Sequence, residues 1–259
     1  MAITLHLKDD AKDFLSEWKL KEIIRRYSDH IAFPILLEVK PKAGDTKTEP
    51  KGPEKVNEGG ALWTRPKSEI TDEQYKEFYH HVAHAFDDPF ARVHFTAEGQ
   101  LSYTALLFVP SMRPFDLYDP KRRHGVKLYV KRVFITDDVE ALMPRYLRFV
   151  AGVVDSEDLQ LNVSRETLQH GAVVAKMKKV LTKRLLDELA KQSKADGYEA
   201  FWTDFGPVLK EGLYEDQENR EKLLEIARFR STNDSDWTTL EAYLGRMKEG
   251  QDEIYYITG

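Results

Sequence analysis

Cysteine is absent from this chain of 259 residues, which excludes disulfide bonds and thiolate metal sites and suits a reducing compartment. No apolar run reaches the roughly 20 residues that a membrane-crossing helix needs. The first ten residues, MAITLHLKDD, lack the pattern of a signal peptide. The formal net charge of −5 argues against general nucleic-acid binding, which needs a basic surface. We therefore expect a cytoplasmic protein that has neither a membrane nor a nucleic acid as partner.

The familiar catalytic motifs are also missing. The chain has no Gly-x-x-x-x-Gly-Lys-Ser/Thr phosphate loop, no Gly-x-Gly-x-x-Gly fingerprint and no Gly-x-Ser-x-Gly nucleophile elbow. His80, His81 and His84 fall close together on a predicted helix, but the glutamate of an H-E-x-x-H zinc motif is absent and no third ligand is evident. We expect solvated histidines and no metal site.

Alternating helix and strand patterns predict an α/β (α+β) fold. The predicted strands cover residues 3–7, 33–39, 92–96, 101–109, 125–135, 229–231 and 254–257. The predicted helices cover residues 11–30, 71–82, 166–192, 198–213, 220–228 and 239–247. Residues 41–60 are rich in Lys, Glu, Thr, Gly and Pro, with almost nothing apolar, and are predicted to be a mobile insertion.

The stretch from residue 151 to 170, AGVVDSEDLQLNVSRETLQH, joins an apolar run to a polar loop and then to the long helix pattern. Asn162 and Ser164 are residue types that cap helices, which would place Arg165 at a helix N-terminus where anions bind favourably. Gln169 follows one turn later on the same face. From the residues alone, Arg165 is either part of an anion site or a surface ion-pair partner of a nearby acid.

Two irregular segments carry large apolar side chains whose role the residues leave open. Trp63 is predicted on a loop, where it is either a core plug or an exposed contact. Phe115, Leu117 and Tyr118 lie in a Pro- and Asp-rich loop, where they are either folded back or offered to a partner. The neighbourhood of the strand at 125–135 is basic, because of either solvated edge charges or residues that steer an acidic surface.

Several separated motifs resemble one family. LWTR, LLFVP, RPFDLY, KLYVKRVFI, GVVDSEDLQLNVSRE and IYYITG are similar to segments of the middle domain of the heat-shock protein 90 chaperones, close to the bacterial branch of that family. The resemblance covers nearly the whole chain. It implies a large αβα sandwich with a mixed sheet (residues 10–194), a helical connector (195–228) and the truncated start of a smaller α/β layer (229–259). Residues 1–9 would be a remnant of the last strand of a preceding ATPase domain.

The resemblance also implies roles for individual residues. Arg165 and Gln169, with Asn162 beside them, would reach the terminal phosphate of ATP, which is held with Mg by the separate N-terminal domain. The chain by itself would then bind no cofactor and hydrolyse no ATP.

The resemblance further implies contact surfaces and partners. Trp63, Phe115, Leu117 and Tyr118 would contact client proteins, and Phe134 would pack against the ATPase domain. The partners would be the N-terminal ATPase domain, a C-terminal dimerisation domain, unfolded clients and co-chaperones. The chain would be a monomer and the full-length protein a homodimer. The alternatives are an interaction scaffold without a role in hydrolysis, and a stand-alone enzyme, which would need its own deep pocket.

Overall fold

A computed structural model describes residues 2–38, 52–99, 101–122, 125–137, 141–159 and 171–257. The α-helices in these ranges are α1 (Glu17–Ser28), α2 (Asp72–Ala83), α3 (Ala172–Gln192), α4 (Tyr198–Glu215), α5 (Arg220–Ile226) and α6 (Leu240–Gly245). The strands are β1 (Leu36–Leu37), β2 (Glu54–Lys55), β3 (Pro89–Ala97), β4 (Tyr103–Pro110), β5 (Gly125–Val130), β6 (Val133–Thr136), β7 (Ala151–Ser156), β8 (Phe229–Ser231) and β9 (Asp234–Thr238). Short 3₁₀ helices cover Asp9–Leu15, Leu62–Thr64, Lys67–Glu69 and Arg145–Leu147.

A five-stranded mixed sheet, ordered β3-β4-β7-β5-β6, forms the centre of the fold. All neighbouring strands are antiparallel except β5 and β7, which are parallel. The middle strand β7 is buried along its whole length. At Gly152, where φ is +148°, a Cβ would lie 2.2 Å from the carbonyl oxygen of Leu106, so the close approach of β4 and β7 requires glycine there.

Both faces of the sheet are covered, because successive side chains of a strand point to opposite sides. In β4, Ala105 and Leu107 face a core shared with α3, α4 and α5, whereas Leu106 and Phe108 face a second core beneath α2. The mixed α/β sandwich predicted from the sequence is therefore confirmed. The helices α4 and α5 pack in the same core as the sheet.

Four predicted elements are wrong in detail. Residues 2–8, predicted to contain a strand, have no regular structure and are exposed. Part of the predicted mobile insertion is ordered: β2 pairs with β1, and the Asn57 side chain is buried and bonded to backbone groups of Ile35 and Phe33. The single strand predicted at 125–135 is two strands, β5 and β6, joined by a tight turn. Residues 254–257, predicted to form a strand, have no regular secondary structure.

The C-terminal part of the described chain also differs from the predicted β-α-β unit. The strand β8 pairs with β9, which was not predicted, and α6 follows directly. Short polar residues between the two strands allow a hairpin that the strand pattern alone did not indicate. None of the helices in the described ranges combines the length and the apolar character that crossing a bilayer requires.

Candidate functional site

Asn162, Arg165 and Gln169, the predicted phosphate-contacting residues, lie outside the described residues, so their role stays a prediction. The elements on either side are described. The strand β7 ends at Ser156, and α3 begins at Ala172 after Gly171, which has an extended backbone. The start of the helix predicted near residues 165 and 166 also lies outside the described residues, and the described part of that predicted helix is α3.

Trp63 is buried, with 1% of its surface exposed. Its indole Nε1–H donates a hydrogen bond of 2.8 Å to Oδ2 of Asp155, and its ring packs against His30 and Tyr129 at centroid distances of 4.7 and 5.0 Å. A buried indole needs a partner for its N–H, and Asp155 supplies it. The exposed position that the resemblance suggested for Trp63 is therefore wrong in this structure.

Asp155 links three segments at the end of β7. Besides Trp63, its carboxylate accepts a hydrogen bond of 3.1 Å from the backbone N–H of Arg132. Arg132 and Lys131 form the β5–β6 turn and both have positive φ, a conformation typical of two-residue hairpin turns. The backbone N–H of Lys131 donates to the Ser156 carbonyl at 3.1 Å. Since a buried carboxylate must be hydrogen-bonded, Asp155 fixes the Trp63 loop and the turn to the central strand.

Phe134, predicted to contact a neighbouring domain, is buried on β6. Its ring meets those of Tyr27 on α1 and Tyr129 on β5 edge-on, at centroid distances of 5.6 and 5.7 Å. In this structure Phe134 is thus part of the core beneath α1, and a contact with another domain would require α1 to move.

The loop that follows β4, residues 111–122, is fastened at its start and near its middle. At its start, the Asp87 carboxylate accepts hydrogen bonds from the backbone N–H groups of Ser111 and Met112, at 2.9 and 3.0 Å. Further on, the carbonyl of Leu117 accepts a bond of 2.9 Å from Nε of Arg148. Because these contacts are made by backbone groups of the loop, the path of the loop does not depend on the identity of its exposed side chains.

Along this loop the predicted contact residues separate into two groups. Leu117 is completely buried, which corrects its predicted exposure. Phe115 is fully exposed and Tyr118 is half exposed, in agreement with a surface offered to a partner. The guanidinium of Arg148 lies 5.8 Å from the centre of the Tyr118 ring and is also bonded to both carboxylate oxygens of Glu211.

A groove of about 830 Å³ lies between this loop and the C-terminal end of α2. Phe86, Met112 and Phe115, all of them exposed, are among its lining residues. Sequence reasoning missed Phe86 and Met112. Phe86 could have been found, because it follows the end of the helix pattern and directly precedes Asp-Asp-Pro, a turn sequence that leaves an aromatic side chain without a helix face to bury it.

The pKa values of two charged groups in the groove, Asp87 and Lys127, are shifted by their surroundings. Burial alone would raise the pKa of Asp87, but its hydrogen bonds from Met112 and Ser111 outweigh that effect and hold the pKa below its ordinary value. Lys127, a half-buried lining residue on β5, has its pKa lowered by burial, against the opposing attraction of Asp137. The groove therefore combines an exposed apolar rim with a partly desolvated cation.

One cluster in the described ranges has the residue types of a metal site: potential ligand atoms of Asp29, His30 and Glu58 lie within 4.8 Å of one another. Internal contacts already account for it. The His30 Nδ1 bonds to the Gly60 carbonyl at 3.0 Å, and the Asp29 carboxylate accepts the Glu58 backbone N–H at 3.0 Å. The cluster connects the end of α1 to the segment after β2.

Comparison with known proteins places this architecture. The family model described as Hsp90 protein matches residues 38–259. The chain belongs to the Hsp90 family. It is 58% identical to the chaperone protein HtpG of Rhodospirillum rubrum over 260 residues, covering 100% of this chain and 40% of that relative. The corresponding protein of Paramagnetospirillum magneticum is 57% identical, with 100% and 40% covered. The predicted kinship to the bacterial branch of the family is confirmed.

A third HtpG, from Gluconobacter oxydans, is 53% identical over 259 residues and is covered over 41% of its length. The chain thus spans about 40% of the length of these relatives.

Proposed function

We propose that this chain is the middle segment of an Hsp90-type chaperone and that it contacts client proteins through the groove between α2 and loop 111–122. The observation that supports this most is the exposure of Phe86 and Phe115 on the rim of that groove. Large apolar side chains that remain in water around a concave surface are typical of sites for protein partners. Trp63, by contrast, is not part of this proposed surface, because it is buried.

A binding experiment tests the client surface. We expect the Phe86→Ser, Phe115→Ser double variant of the 259-residue chain to lose at least about tenfold in affinity for an unfolded, fluorescently labelled protein, since two apolar anchors are removed. The exposed Tyr214 on α4 lies outside the groove, and Tyr214→Ser is the matched control. Equal affinity of the double variant and the wild type would contradict the proposal.

We also propose that Arg165 and Gln169, with Asn162 beside them, contact the terminal phosphate of ATP held with Mg by the N-terminal domain of the full-length protein. Family membership supports this assignment, as does the chemistry of arginine, whose planar group suits phosphate. In this proposal the 259 residues bind no ATP of their own. Co-chaperones, dimerisation through a C-terminal domain and a cytoplasmic location stay predictions for the full-length protein.

Hydrolysis by the full-length protein tests this second assignment. Because an arginine at a transferring phosphoryl group can contribute on the order of 10³ in rate, Arg165→Ala should remove most of the ATPase activity and leave the circular dichroism spectrum unchanged. Arg220→Ala, on the surface of α5, is the control for loss of one positive charge. A normal hydrolysis rate in Arg165→Ala would instead favour a scaffold without a role in hydrolysis.

A further inference from the structure

Lys127 stands out among the charged residues of the groove. Val126 and Leu128 point into the core shared with α3, so Lys127 between them lies on the opposite face, towards α2. The side chain is half-buried, and burial lowers its pKa. No described residue accepts a hydrogen bond from its ammonium group, although an ammonium has three donors to satisfy. The positive charge of Lys127 also repels the protonated form of His84, whose pKa is lowered mainly by burial and to a smaller extent by Lys127.

Unlike Lys127, three carboxylates around the groove have hydrogen-bond or ion-pair partners within the protein. Asp87 is bonded to Ser111 and Met112, and Asp116 forms an ion pair with Arg122. A further lining carboxylate, Asp119, accepts the backbone N–H of Lys121 at 2.8 Å. Among the described charges, Asp137 is the one whose attraction raises the pKa of Lys127, and burial still lowers that pKa overall. Among the described residues of the groove, the Lys127 ammonium therefore lacks an acceptor, while the acidic acceptors hold the loop in place.

We infer that the groove prefers extended polypeptide segments in which an acidic side chain is flanked by large apolar ones, with the carboxylate on Lys127 and the apolar side chains against Phe86 and Phe115. This inference rests on the proposed client surface and specifies which client segments that surface selects. A carboxylate at Lys127 would supply an acceptor that no described residue provides to this partly desolvated cation, and a charge pair there is worth more than at an exposed site.

A polypeptide fits this site better than a small carboxylic acid. The apolar groups Phe86 and Phe115 are fully exposed on the rim, so a small molecule bound at Lys127 would leave them in water. A peptide presents apolar side chains on both sides of an acidic residue and can cover the rim and the cation together. The volume of about 830 Å³ is enough for several side chains.

Two labelled peptides test the inference. They have the same sequence of Phe, Leu and Ser around a central position that is Glu in one and Gln in the other, and their affinities for the 259-residue chain are measured by fluorescence anisotropy. We expect the Glu peptide to bind about tenfold more tightly, and this preference to disappear in Lys127→Met. Lys183→Met, on the exposed side of α3, changes the net charge equally and should keep the preference. Thermal melting verifies that both variants are folded.

The possible results of the peptide experiment lead to different conclusions. Equal affinities for the two peptides in the wild type would overturn the inference and leave the client surface standing. If neither peptide binds, the client surface proposed above fails as well. A Glu preference that persists in Lys127→Met would show that another cation is responsible. Competition by free acetate or phenylacetate as strong as that by the unlabelled Glu peptide would show a small-carboxylate site instead of a polypeptide site.

Discussion

The segment around Trp63 and the loop at 111–122 were both predicted to expose an aromatic side chain, but only the loop does so. Each carries an aromatic side chain outside the α-helices and strands, and each was predicted to offer it to a client. The structure buries Trp63 beneath α2 and leaves Phe115 in water. The two regions therefore differ in what the aromatic ring does for the fold.

The polar contacts explain this difference. The indole N–H of Trp63 can donate to the buried Asp155, so burying the ring satisfies both groups. Phe115 has no polar atom to contribute, and its loop is already held through Asp87 and Arg148. A loop whose path is independent of its exposed ring can present that ring without losing stability, which is what a binding surface requires.

The largest expected effect tests the Trp63 side of this comparison. Trp63→Ala should lower the free energy of unfolding by about 3–5 kcal/mol, because it leaves a cavity in the core. The Asp155 carboxylate also stays buried with one hydrogen bond fewer, which places the loss near the upper end of that range. Urea unfolding of the 259-residue chain measures the change.

Phe115→Ala is the matched substitution in the other region. Because Phe115 is fully exposed, we expect its replacement to change the free energy of unfolding by less than about 0.5 kcal/mol. If both variants lost similar stability, the distinction between a structural and a displayed aromatic residue would be wrong. A Trp63→Ala loss below about 1 kcal/mol would contradict the role assigned to the Trp63–Asp155 pair.

Much of the fold could be predicted because it depends on local patterns. The hairpin of β3 and β4, the helices α4 and α5 and the capping box at Thr71 all appear in the sequence as periodicity or as capping residues. The break between β5 and β6 could not be read in this way. Lys131 and Arg132 adopt positive φ there, a conformation that usually requires glycine or asparagine, and they do so beside the carboxylate of Asp155.

The candidate site was only partly predictable for the same reason. Phe115 and Tyr118 were predicted as a displayed surface, but Leu117 between them is buried, because its neighbours in space are residues distant in the sequence. The pairing of Trp63 with Asp155 joins residues 92 positions apart, and no local pattern indicates it. Long-range contacts decided which apolar side chains remained for a partner.

A smaller effect tests how the loop itself is held. Asp87→Asn should lower the free energy of unfolding at pH 7 by about 1–2 kcal/mol, since an amide cannot replace a charged acceptor of the Ser111 and Met112 N–H groups, and partial exposure moderates the loss. Asp88→Asn, one position along, removes a surface ion pair with Lys76 and should cost less.

The pH dependence separates this anchor from a general charge effect. The pKa of Asp87 in the folded protein lies below its ordinary value of 3.8, so its stabilising contribution is present above that value and disappears as the pH falls through the folded pKa. The difference in stability between wild type and Asp87→Asn should therefore be constant near neutral pH and shrink in acid, as Asp87 itself becomes protonated. A difference that grew in acid would have the wrong sign for a carboxylate that holds the loop carrying Phe115.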